Sequence, residues 1–249
     1  MTFGIESANI VGYNTDSVQR GKFLIKAAQF NDVASGDIAV DKVYSGFTGV
    51  DFDEDLNFQI TAPQILVQDS EGNYVSYYFL NDAYIEADGS TCKGWADSNG
   101  NYAGLTMTPG LSFWVKDPMT DVTTTTSGEV SDDDSVTVEI AANQYTLVGN
   151  PFPIAVTLNG NQMTSPDIKG VDFDEDLNFQ SSAPQILVQD SDGNYVSYYY
   201  LNDAYVEADD STTKGWSDSN GNYITDTIAV GKGFWIKSIS GAMTLVFKK

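Results

Sequence analysis

The chain has 249 residues, a formal net charge of −23, no histidine and one cysteine. A surface so acidic repels nucleic acid and anionic lipid, both polyanions. Without histidine it lacks the commonest general acid–base group and the commonest transition-metal ligand, and the lone thiol, Cys92, makes neither an internal disulfide nor a cysteine-rich metal site.

Hydrophobic residues make up 41% of the chain, enough to bury real cores, so a folded chain is expected despite the charge. No run approaches the roughly 18 to 20 apolar residues that span a bilayer, so membrane insertion is not expected. Met1 is followed by Thr-Phe-Gly-Ile-Glu, without a basic start or an apolar run. The expectation is a secreted or cell-surface protein whose export signal has been removed.

In chain order, the first predicted strands are Asn9–Tyr13 and Lys22–Ala27, short, β-branched or aromatic, and bounded by turn residues. Asp51-Phe-Asp-Glu-Asp55 follows. Its three alternating carboxylates resemble the first half of a calcium loop, but the glycine and closing-glutamate positions of an EF-hand hold Leu56 and Ala62. A calcium site of another kind or a solvated acidic strand edge, with Phe52, Leu56 and Phe58 packed inward, are the two readings. Gln64–Gln68 and Tyr74–Leu80 form the clearest hairpin, around Asp69-Ser-Glu-Gly-Asn73. Along Tyr74–Leu80, Val75, Tyr77 and Phe79 face one way, and Tyr74, Ser76, Tyr78 and Leu80 the other. Aromatics on both faces predict a strand covered on both sides, or one whose second face binds a ligand. Asp97-Ser-Asn-Gly-Asn101 reads as another tight turn, with calcium as the alternative. Leu111–Lys116 and Ser135–Ile140 are further strands, and Thr123–Gly128 is a last strand followed by a short junction.

Residues 49–102 recur at 170–223 with 46 of 54 positions identical. The first copy holds ten acidic side chains and one lysine, the second eleven and one, so most of the net charge sits on the repeated block. No stretch has a sustained helical period. The fold class expected is all-β: two tandem antiparallel β-sandwich-like domains from an internal duplication, residues 1–127 and 128–249.

Candidate metal ligands are Asp51, Asp53 and Asp55 with their copies Asp172, Asp174 and Asp176, and calcium is the one cofactor considered. Candidate sugar-stacking residues are Tyr77 and Trp95 with their copies Tyr198 and Trp216, because aromatic planes pack on carbohydrate C–H faces. The pairs Phe113-Trp114 and Phe234-Trp235 read as core or interface. There is no serine elbow, P-loop, dinucleotide fingerprint or HExxH, and no catalytic residue is assigned. The functional expectation is a non-enzymatic extracellular protein that self-assembles, as a filament, fibre or surface-layer subunit. Its partner would be itself, through head-to-tail β contacts that include Thr244–Lys249. The alternative is a carbohydrate-binding or adhesion module with two equivalent sites for an extracellular glycan.

Overall fold

A computed structural model describes residues 11–31, 38–52, 54, 57–173, 178–239 and 241–249. Among these, strands of four or more residues number seven in each half of the chain. The first seven are β1 (Val11–Val18), β2 (Leu24–Ala27), β3 (Gln64–Gln68), β4 (Tyr74–Ile85), β5 (Ser90–Ala96), β6 (Ser112–Lys116) and β7 (Val122–Val130). The second seven are β8 (Ser135–Ile140), β9 (Tyr145–Gly149), β10 (Gln185–Gln189), β11 (Tyr195–Val206), β12 (Ser211–Ser217), β13 (Gly233–Lys237) and β14 (Met243–Lys248). The all-β class is therefore observed, in antiparallel sheets, with only four-residue helices such as Phe58–Thr61 and Phe179–Ser182 between strands.

The two halves repeat one strand order. A five-stranded sheet runs β2-β6-β3-β4-β5 in the first half and β9-β13-β10-β11-β12 in the second. The β3–β4 hairpin closes as its residues dictate. The Asp69 carboxylate accepts the backbone N–H groups of Glu71 and Asn73 at 2.9 and 2.8 Å, and Gly72 takes φ +85°. The Asn73 N–H bond, foremost among these, holds the Asp69 carboxyl below its ordinary pKa. Asp190 and Gly193 repeat the arrangement between β10 and β11.

A second, smaller sheet covers one face of each five-stranded sheet, built on β1 and β7 in the first half and on β8 and β14 in the second. Between the layers of the first half lie Ile65, Trp95, Phe113 and Val115; Ile186, Trp216, Phe234 and Ile236 take these places in the second. Alternation along β6 and β13 sends Phe113 and Phe234 into these cores, and Trp114 and Trp235 to the opposite face of the sheet. Burying each such apolar side chain contributes roughly 1.5–3 kcal/mol.

Three expectations change. Residues 127 and 128, where the break was expected, both lie within β7, which pairs with Val11–Val18 as far as Glu129 and with Phe30 at Val130. The acidic segment is not a strand in its described residues. Phe52, Glu54 and Asn57 lie in turns, and Phe58 opens a helix because its ring packs on Phe52 and Tyr78. Finally, β14 is not a free edge: it pairs with β8 on one side and with Met163–Thr164 on the other, so Thr244–Lys249 is not open for head-to-tail pairing.

Candidate functional site

The uncovered faces of the two five-stranded sheets pack against each other. Gly149 and Gly233 make the approach close, since a Cβ at Gly149 would meet Ala27 and Ser112, and one at Gly233 would meet Ser112 and Ile25. Backbone bonds cross the junction from Ala27 N–H to Gly231 O at 2.9 Å, and from Gly149 N–H to Gly110 O at 3.1 Å.

Strands β2 and β9 are edge strands, and their outward backbone groups need partners. A glutamine from the opposite half supplies them in each case. Gln68 donates to Tyr145 O at 2.8 Å and accepts from Leu147 N–H at 3.0 Å. Gln189, its copy, donates to Phe23 O at 2.9 Å and accepts from Ile25 N–H at 3.2 Å. The contacts are reciprocal, as in an isologous dimer.

The same reciprocity builds a strip of aromatic rings. Trp114 and Trp235 meet across the junction with centroids 6.1 Å apart. Phe23 flanks Trp114 at 5.8 Å, and Tyr145 flanks Trp235 at 6.2 Å. Tyr195 of the second half stands edge-on to Trp114 at 6.5 Å, and Tyr74 of the first half stands edge-on to Trp235 at 6.1 Å. Tyr74 and Tyr195 remain 45% and 43% exposed, so their rings reach solvent. Partial burial pushes both hydroxyls above the usual tyrosine pKa, which keeps them neutral donors.

A cleft opens on each side of the strip. The first, about 480 Å³, is lined by Gln68, Glu71, Tyr74, Tyr145, Leu187, Trp235 and also Tyr195, which reaches both clefts. The second, about 410 Å³, is lined by Lys22, Phe23, Trp114, Gln189, Asp192 and Tyr195. Both fall in the size range of small-ligand sites, and both combine apolar ring surface with a few polar groups. Ring faces can hold sugar C–H groups, while the Glu71 and Asp192 carboxylates are placed to accept hydroxyl protons.

The residues singled out in the sequence lie elsewhere. Trp95 is wholly buried against Phe47 and Phe79, with centroids 5.4 and 5.0 Å away, and Trp216 is buried against Tyr200. Tyr198 is buried with its hydroxyl on Asp226 at 2.5 Å, and Tyr77 is half-buried against the first core. As sugar platforms Trp95, Trp216 and Tyr198 are corrected, because burial in the protein takes their faces, while Tyr77 packs one side on the first core. Of the six aspartates, Asp53, Asp55, Asp174 and Asp176 lie outside the described residues. Asp51 accepts from Asn81 at 2.8 Å, and Asp172 from Asn202 at 2.8 Å. Among the described residues no three of His, Cys, Asp and Glu come together as a metal-holding group. The Asp97 and Asp218 carboxylates accept N–H groups from their own loops, in the manner of tight turns.

The residues missed were Tyr74, Tyr195 and the two glutamines; Trp114 and Trp235, expected in a core or interface, meet between the halves. One signal was present: Tyr74, Ser76 and Tyr78 share the second face of an aromatic strand, opposite the core face. Compared with protein-family models, curated proteins and solved structures, the chain matches none.

Proposed function

We propose that the chain is a non-enzymatic extracellular adhesion module that holds carbohydrate in two equivalent aromatic clefts. The clefts flank the junction of two β-sandwich-like domains that arose by internal duplication. The observation that carries this reading is the reciprocal pair: an exposed tyrosine from each half stands against a tryptophan of the other, beside a glutamine and a carboxylate. Two sites on one rigid junction give avidity for a repeating polymer, and so explain why both copies keep Tyr74/Tyr195 and Gln68/Gln189. Retention on immobilised neutral polysaccharides tests the reading. The double variant Tyr74→Ala/Tyr195→Ala is expected to lose retention at least tenfold, measured well below the melt, with stability lowered by about 1–3 kcal/mol for the two lost ring contacts. Unchanged retention, or no retention of the parent chain on any neutral polysaccharide, would sink it.

A second reading, a self-assembling filament or surface-layer subunit, draws on β1. This strand has no partner on its outer side among the described residues, and Val11 and Tyr13 are 64% and 79% exposed. The edges at β5 and β12 are blunted instead, by Asp41 accepting from Trp95 N–H at 2.8 Å and Asn159 from Trp216 N–H at 2.7 Å. Negative-stain images of the purified chain decide this reading: regular polymers lost on Tyr13→Lys support it, and dispersed particles alone retire it.

A further inference from the structure

The two clefts are built from copies, but they are not alike in charge. Where the first cleft has Gln144, the second has Lys22, and where the first half has Leu111 at the junction, the second has Lys232. Lys22 belongs to two openings at once. It lines the cleft with Trp114 and Tyr195, and it also lines an adjoining hollow of about 360 Å³ with Ser17, Gln19, Gln189, Ser191 and Lys232. Phe23, Gln189 and Gly193 are common to both openings, so a group stacked in the cleft reaches the hollow directly.

Lys22 and Lys232 bring two ammonium groups to the hollow, where Asp190 and, in the adjoining cleft, Asp192 bring carboxylates. The Lys22 ammonium makes one hydrogen bond, to the Asp192 carbonyl at 3.2 Å, and an ammonium has three donors. Lys232 lies 3.2 Å from Asp16 Oδ1, and Lys26 pairs with the other oxygen of the same carboxylate. Lys26 and Lys232 thus share one carboxylate. Asp190 also lines the hollow, but its oxygens accept the N–H groups of Asp192 and Asn194 at 2.9 and 2.8 Å within its own turn. At the first cleft the Lys22, Lys26, Lys232 and Asp16 positions are taken by Gln144, Val148, Leu111 and Val138, none of them charged.

Resting on the reading of the clefts as sugar sites, we propose that the second cleft selects a glycan residue bearing one anionic substituent, a carboxylate or a sulfate, which enters the hollow and pairs with Lys22 and Lys232. The ligand is a sparsely charged chain, not a polyanion. A net charge of −23 repels a dense run of charge, while screening over about 8 Å at physiological salt leaves a single anion free to meet its local ammonium groups.

The test uses one neutral oligosaccharide in three forms: unmodified, with one uronic-acid residue, and with one sulfate ester. Binding to the whole chain is followed by calorimetry. The parent chain is expected to bind one equivalent of an acidic form about fivefold more tightly than the neutral form, the upper range for a solvent-exposed ion pair. Lys22→Gln is expected to bind the acidic and neutral forms alike, the two being compared within that variant, and Gln144→Lys to confer the gain on the first cleft. Which of the two acidic forms gains identifies the anion. If the neutral form binds and neither acidic form gains, or the gain survives Lys22→Gln, the anion subsite is overturned while the clefts stand. If no form binds, both fall together.

Discussion

Replacing Asp16 by valine alone is expected to destabilise the chain by about 3–5 kcal/mol, because it strands a buried cation. Lys26 is 1% exposed, and its ammonium pairs with Asp16, which also holds Lys232. Burial pulls the Lys26 pKa below its ordinary value even with that carboxylate in place. The second half contains the apolar solution to the same packing problem. Register places Val138 where Asp16 stands, Val148 where Lys26 stands, and Leu111 where Lys232 stands; the antiparallel bridge Leu111–Val148 repeats the bridge Lys26–Lys232. The triple variant Asp16→Val/Lys26→Val/Lys232→Leu is therefore expected to be as stable as the parent chain, or more stable by about 1–4 kcal/mol. Urea denaturation of the two variants beside the parent decides it. A single variant as stable as the parent, or a triple variant as weak as the single one, would show that the trio is not a buried ionic contact.

The lowered Lys26 pKa also has a pH consequence of fixed sign. Between the lowered folded value and the unfolded 10.5, the unfolded chain binds more protons, so this group's contribution to stability rises with pH across that window. The rise should be absent in the triple variant.

The second large effect concerns the indoles buried in the cores. Trp95→Ala and Trp216→Ala are each expected to cost about 3–5 kcal/mol, the range for emptying a buried aromatic site. Trp95 fills the space between Phe47 and Phe79 under strand β5, and Trp216 packs on Tyr200 in the second half. Thermal melts should drop sharply for both, while oligosaccharide binding measured well below the melt stays near that of the parent. Loss of binding without loss of stability would return the sugar site to these two positions.

Much of the scaffold is legible in local residues. The Asp-Ser-Glu-Gly-Asn loop specifies its hairpin, because its side-chain acceptors and glycine work within five residues. Strand positions such as Gln64–Gln68 and Ser135–Ile140 follow from alternation and turn chemistry alone. The strand Val122–Val130 is harder to bound: local residues mark a strand over Thr123–Gly128, and its full length is set by distant pairing with Val11–Val18.

The site is harder to read for a physical reason. Alternation says that Phe113 and Trp114 face opposite ways, but not which face the smaller sheet covers and which meets the other half. The sequence reading therefore puts Trp95 on a ligand face and Trp114 in a core or interface, while Trp95 lies in a core and Trp114 lines a cleft. Gln68, which caps the edge at Tyr145–Leu147, and Asp16, which pairs with Lys232, act across long stretches of chain and leave no local pattern. The repeat itself was informative in another way. It predicts pairs of equivalent places, and the reciprocal crossing of Tyr74 and Tyr195 is where those pairs meet.

The most direct measurement is the stoichiometry of oligosaccharide binding by isothermal titration calorimetry. A neutral linear oligosaccharide is titrated into the parent chain, into Tyr74→Ala and into Tyr195→Ala. Two sites per chain are expected for the parent and one, in the second cleft, for Tyr74→Ala, while Tyr195→Ala, at a ring that lines both clefts, is expected to weaken both. Zero sites in the parent, or a stoichiometry that neither substitution changes, would contradict the assignment of the two clefts.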